Sequence, residues 1–123
     1  MFNFFQRTPV YLKIYPNKIE IINLKTGESI TRTALEKFST ERLVIADFNA
    51  AEKLAREIKK ELGLPASLKV LAQQMKVYEE TLSEAEKRML RDIAEQMGAV
   101  SVFLVTNDIP VSNAEALEVL RQN

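Results

Sequence analysis

Residues 44–60 read Val-Ile-Ala-Asp-Phe-Asn-Ala-Ala-Glu-Lys-Leu-Ala-Arg-Glu-Ile-Lys-Lys. A short apolar run stops at Asp47, and a helical pattern starts at once. Ala51, Leu54, Ala55, Ile58 and Leu62 recur at three- and four-residue spacing, which gathers them into one apolar stripe. Asn49 with Glu52 three residues on predicts a capping box at the start. Gly63 stops the helix, and Pro65 keeps it from resuming. A helix with one apolar stripe must lie against a second layer, so the flanking sequence has to supply it.

Upstream, that layer is a sheet. Val10-Tyr11-Leu12-Lys13-Ile14 alternates as a half-buried strand does. Lys18–Leu24 is a second strand, in which adjacent Ile21 and Ile22 call for a bulge or for two covered faces. Tyr15-Pro16-Asn17-Lys18 turns between them, since Pro presets φ and Asn tolerates the left-handed region. Lys25-Thr26-Gly27-Glu28 turns again into a third strand near Ser29–Ala34. Downstream, a strand is expected within Leu68–Glu79, best placed at Met75–Tyr78. Ser83 and Glu86 then open a second helix with Ala85, Met89, Leu90, Ile93, Ala94 and Met97 on its stripe. Gly98 ends it. Val100–Val105 contains four consecutive apolar residues, which predicts an interior parallel strand. Ser112 with Glu115 opens a final helix through Leu117 and Leu120. The expected core includes Ile45, Leu54, Ile58, Leu90, Ile93, Phe103 and Leu104. The result is an α/β chain read as a single domain over residues 1–123. It has a mixed five-stranded sheet, an antiparallel three-strand meander plus two parallel strands, in the order β-β-β-α-β-α-β-α. That order is the one of a ribonuclease-H-like half domain.

Composition narrows the chemistry. Lys plus Arg and Asp plus Glu are 17 each, so no excess charge favours nucleic acid. The helix cations Lys53, Arg56, Lys59, Lys60, Lys87, Arg88 and Arg91 alternate with glutamates at i to i+4 distances, the mark of a solvated surface. There is no Cys and no His, which excludes thiol chemistry, structural zinc and His-based acid–base catalysis. No apolar run approaches the roughly 20 residues of a membrane span, and the expected location is the cytoplasm. The opening Met-Phe-Asn-Phe-Phe places Phe2, Phe4 and Phe5 together. They either pack on the core or a second copy, or give a weak contact with the inner-membrane surface.

Two blocks carry a family resemblance. Leu43-Val44-Ile45-Ala46-Asp47-Phe48 with its helix resembles the "GVIADF" start of the first long helix in bacterial actin-like rod-shape proteins (MreB). Glu86-Lys87-Arg88-Met89-Leu90-Arg91, followed by Gly98-Ala99-Val100-Ser101-Val102-Phe103-Leu104-Val105, resembles the family's "ERRAIRES…GAREVFLIEEP" helix and strand. The resemblance implies the first subdomain of an actin-like ATPase, and the chain departs from that family where the chemistry lies. The first hairpin of the family carries a D-x-G-T type phosphate loop, whereas Tyr15-Pro16-Asn17-Lys18 has neither Gly nor Asp. The three glycines are already assigned to a turn and two helix ends, leaving none for a phosphate nest. The family's acidic pair after the last matched strand is replaced by Asn107 and Asp108.

The expectation is therefore a non-catalytic structural or interaction module with no cofactor, linked to bacterial cell shape or the cytoskeleton. Its partner would be a second copy or another actin-like component. The interacting flank would comprise Val111, Leu117 and Leu120 with Phe2, Phe4 and Phe5. The alternative is a divergent nucleotide-binding or metal-dependent enzyme. Ligands of α/β sheets bind beyond the carboxyl ends of parallel strands. Glu79, Glu80, Asp108 and Asp47 are the carboxylates that could hold Mg²⁺ there.

Overall fold

β1 (Thr8–Tyr15) lies at the centre of the sheet and explains its mixed character. On one side it pairs antiparallel with β2 (Lys18–Asn23), which pairs antiparallel with β3 (Ser29–Thr33). On the other it pairs parallel with β4 (Leu68–Gln74), which pairs parallel with β5 (Ala99–Val105). The order across the sheet is β3-β2-β1-β4-β5. Three helices complete the chain: α1 (Phe48–Leu62), α2 (Glu84–Gln96) and α3 (Asn113–Gln122). The structure, a computed structural model, describes residues 7–122. Phe2, Phe4 and Phe5 lie outside the described residues.

The two faces of the sheet are covered differently. Val10, Leu12, Ile14, Ile19 and Ile21 face α1 and α2 and meet Ala51, Ala55, Ile58, Leu90 and Ile93 in the main core. Tyr11, Ile22, Leu24 and Leu71 face α3 and meet Ala116 and Leu120 in a smaller one. Ile21 and Ile22 thus belong to opposite cores, and β1–β2 pairing runs without a bulge. Both faces of that strand are covered.

Four expectations are corrected. The α1 cap is Asp47, whose carboxylate accepts from Ala50 N, and Asn49 is an exposed residue inside the helix. Glu52 pairs with Arg56 at 2.6 Å instead of reaching back to a cap. β4 occupies Leu68–Gln74 rather than Met75–Tyr78. A strand between β1 and β5 must be covered on both faces, which Val70 and Ala72 on one side and Leu71 on the other satisfy. Lys76 and Tyr78 are exposed. On α2, Leu90, Ile93, Ala94 and Met97 are buried, whereas Ala85 is exposed in the first turn. Finally, β5 is an edge strand and not an interior one, although α2 and the α3 side half-cover its two faces. An apolar run reports covered faces and is silent about the edge. Phe103 and Leu104 are accordingly half-buried, while Ile45, Leu54, Ile58, Leu90 and Ile93 are buried.

Two glycines earn their places by conformation. Gly63 caps α1 at φ 68°, donating to Lys59 and Lys60 carbonyls. Gly98 follows α2 at φ 108°, where an added Cβ would sit 2.3 Å from the Ala66 carbonyl oxygen. Among the described residues no helix is long and apolar enough to cross a membrane.

Candidate functional site

The carboxyl ends of β1, β4 and β5, with the segments that follow them, form the crest where a ligand of such a sheet would sit. The β1–β2 hairpin closes one end of it. Asn17 occupies the left-handed region at φ 52°, as the residue after the turn's Pro must in a type II turn. Its side-chain oxygen accepts from Phe38 N (2.9 Å) and Ser39 N (2.8 Å). Its own N–H donates to Ser39 Oγ at 2.8 Å, and its carbonyl accepts from Ala34 N at 2.8 Å. The Ser39 hydroxyl in turn donates to the Val44 carbonyl. Phe38 is buried beneath this knot. The hairpin's donors are therefore spent on the loop that leads to α1, and the turn offers an anion no cluster of unpaired N–H groups.

At the end of β4 stand two glutamines, Gln73 and Gln74, on opposite faces and both buried. Gln73 is fully engaged. Its amide N–H₂ donates to the carbonyls of Asn107 (3.0 Å) and Ile109 (2.8 Å), and its oxygen accepts from the Tyr11 hydroxyl. Tyr11 also accepts from Val111 N at 3.3 Å. Two buried side chains thus staple residues 107–111 onto the sheet and start α3 in the right place. Burial raises the Tyr11 phenol above its ordinary range, so it remains a neutral donor.

Gln74 ties β4 to the start of α2. Its N–H₂ donates to the Lys76 carbonyl at 2.9 Å and to Glu86 Oε2 at 3.0 Å. The other Glu86 oxygen closes the capping box by accepting from Ser83 N at 2.9 Å, while Ser83 Oγ accepts from Glu86 N at 3.1 Å. Burial works against the Glu86 carboxylate, but the Gln74 amide and the Ser83 donors outweigh it and hold the carboxyl below its usual range. The Gln74 carbonyl oxygen, also buried, meets no donor among the described residues.

The carboxylates named from the sequence do not converge. Asp47 caps α1, and Asp108 Oδ2 accepts from Val77 N at 3.0 Å. Asn107 Oδ1 accepts from Ile109 N in a local turn, and Glu79 and Glu80 are exposed. Among the described residues, no three carboxylates come together as a cation site. The predicted flank divides as well. Leu120 is fully buried in the smaller core, with Val111 and Leu117 packed against it, so these side chains hold α3 to the sheet. In this half of the chain, Tyr78, Val100, Ile109 and Val119 are exposed large apolar residues. Sequence reasoning missed Tyr11, Gln73 and Gln74. The available signal was a pair of amides closing the apolar strand Leu-Lys-Val-Leu-Ala-Gln-Gln.

This arrangement is half of an actin-like, ribonuclease-H-like domain. Among solved structures, MreB5 of Spiroplasma citri bound to ADP superposes with a TM-score of 0.54 at 18% identity, over 81% of this chain and 38% of that one. The Aquifex aeolicus PPX-GPPA enzyme matches more loosely, with a TM-score of 0.45 at 15% identity, over 80% of this chain and 36% of that one. The chain thus spans well under half the length of these structures. No family model matches it. No curated protein matches it.

Proposed function

We propose that this chain is a non-catalytic interaction module built on the first half of an MreB-type actin-like fold, serving bacterial cell shape or the cytoskeleton. It acts in the cytoplasm by docking a second copy or another actin-like component. The observation that carries the reading is the closed hairpin. Where the family resemblance places a phosphate loop, Asn17, Phe38 and Ser39 satisfy one another's backbone groups. An anion there would have to break three hydrogen bonds, each worth about 0.5–1.5 kcal/mol net, before making any of its own. The test is phosphate release from ATP with Mg²⁺ by purified protein. Release at the buffer rate agrees with the reading, and turnover that Asp108→Asn abolishes overturns it.

One observation favours the alternative of a nucleotide- or metal-dependent enzyme. The Gln74 carbonyl oxygen is a buried acceptor without a donor among the described residues, at the end of a parallel strand, and such a group costs about 1–3 kcal/mol unless something binds it. A donor-bearing ligand that protects Gln74 in wild type, and fails to bind Gln74→Met, would promote that alternative.

A further inference from the structure

The connection from β3 to α1 carries a side chain that the fold does not use. Leu35, two residues past β3, is fully exposed, where the next most exposed large apolar side chain, Ile109, is 68% exposed. A lone exposed leucine is ordinary, but this one borders a pocket. The pocket, of about 260 Å³, lies between the end of β3, the loop that follows and α1. Ala34, Ala50 and Leu54 give it apolar walls, and Glu36, Lys53 and Glu57 stand at its rim. Small-molecule sites commonly enclose about 300–1,000 Å³, so this one suits a single side chain better than a free ligand. The charges around it are unevenly satisfied. Arg32 is held by Glu61 and Arg56 by Glu52, each at 2.6 Å. Glu57 lies within the field of Arg32. Glu36, on the loop wall, and Lys53, on the α1 wall, are exposed, and neither joins an ion pair among the described residues.

We propose that this pocket receives Leu35 of a second copy across a two-fold axis, with Glu36 of each copy paired to Lys53 of the other. The proposal rests on the interaction-module reading and names its surface and partner. Charge complementarity carries the choice of partner. Apolar walls with an unpaired lysine at the rim select an aliphatic side chain that has a carboxylate beside it. Leu35-Glu36 is such a dipeptide, and it stands at the edge of the same pocket. Knob and socket are neighbours on one surface, so a two-fold axis between them seats both leucines in one operation. The same operation lays the loop wall of each copy, with Glu36, against the α1 wall of the other, with Lys53. Two reciprocal ion pairs then close over two buried leucines, and neither charge meets its like. Isologous contacts of this kind build the commonest oligomers.

The experiment is light scattering on the full chain over a concentration series that extends to millimolar protein. The wild type should rise from the 14.0 kDa chain mass toward twice that value. Leu35→Asp should hold the chain mass throughout. Glu36→Lys and Lys53→Glu each set like charges together at both rims, and each should weaken pairing about tenfold, since two exposed ion pairs are lost at once. The variant that carries both reversals restores two opposite-charge pairs and should return to within about threefold of the wild type. A wild type that stays at the chain mass, a Leu35→Asp variant that still pairs, or a double reversal no better than the single ones would each overturn the proposal. All three side chains are exposed, so the unfolding midpoint at low concentration should not move. Should a single variant lose stability, the double reversal measured against the wild type decides. A monomeric wild type leaves the nucleotide result standing, and ATP turnover leaves the mass unaltered, so the two readings fail separately.

Discussion

Tyr11 and Gln73 are the clearest case of single residues setting the position of a whole segment. The hydroxyl and the amide meet inside the sheet, and between them they hold the backbone of residues 107–111. Tyr11→Phe removes one oxygen and leaves the Gln73 oxygen and Val111 N without a partner. A buried orphan costs about 1–3 kcal/mol, so a loss of that size is expected in urea unfolding, with faster hydrogen exchange concentrated in α3. A loss below about 0.5 kcal/mol would show that the clamp is not structural. The glycines make a second residue-scale contrast. Gly63→Ala meets open space and costs only the strain of its positive φ, about 1–2 kcal/mol. Gly98→Ala adds a collision with the Ala66 carbonyl and should destabilise clearly more. Equal effects would contradict the close approach of the α2–β5 turn to the α1–β4 loop.

At the scale of elements, the α1 cap separates two readings of the same string. Asp47 and Asn49 are both competent caps by residue type, and only the structure shows which precedes the first turn. Asp47→Ala should cost about 0.5–2 kcal/mol, and Asn49→Ala should change little; the reverse ranking would move the helix start. α2 depends on Glu86 in a pH-dependent way. Its carboxyl is held below the ordinary 4.5, so its contribution is complete above that pH and fades as pH falls through the depressed value. Glu86→Gln should lower stability at neutral pH and flatten the acid limb of the stability profile; an unchanged limb would separate Glu86 from acid unfolding. Element order was legible because caps, stripes and turns each depend on a few neighbouring residues. What was not legible depends on distant partners. β4 reads weakly because Gln73 and Gln74 look like surface residues until Tyr11, Glu86 and the 107–111 backbone are brought to them. β5 reads as interior because Val102–Val105 records two covered faces and cannot record a free edge. Val111, before α3, and Leu117 and Leu120 on it read as an exposed flank because the second sheet face, with Tyr11, Ile22 and Leu71, is invisible along the chain.

For the whole molecule, the two sheet faces differ in role. The α1–α2 face carries most of the buried side chains, so Ile58→Ala should cost about 2–5 kcal/mol. Phe103→Ala, at the half-covered edge, should cost less in the monomer. A balanced 17 to 17 charge count supplies no net charge with which to steer a charged partner. The proposed docking therefore rests on local surfaces rather than on long-range steering. The same fold in MreB5 of Spiroplasma citri was solved with ADP, which makes nucleotide the sharpest discriminator. A ligand present at 100 times its Kd stabilises the folded state by about 2.7 kcal/mol, which in a domain of this size is a rise of roughly 10 °C. Thermal unfolding of the wild type with and without millimolar Mg-ATP tests the non-catalytic reading most directly. With the Asn17 hairpin closed on Phe38 and Ser39, the midpoint should stay where it is. A rise of several degrees, lost in Asp47→Asn or Asp108→Asn, would contradict it.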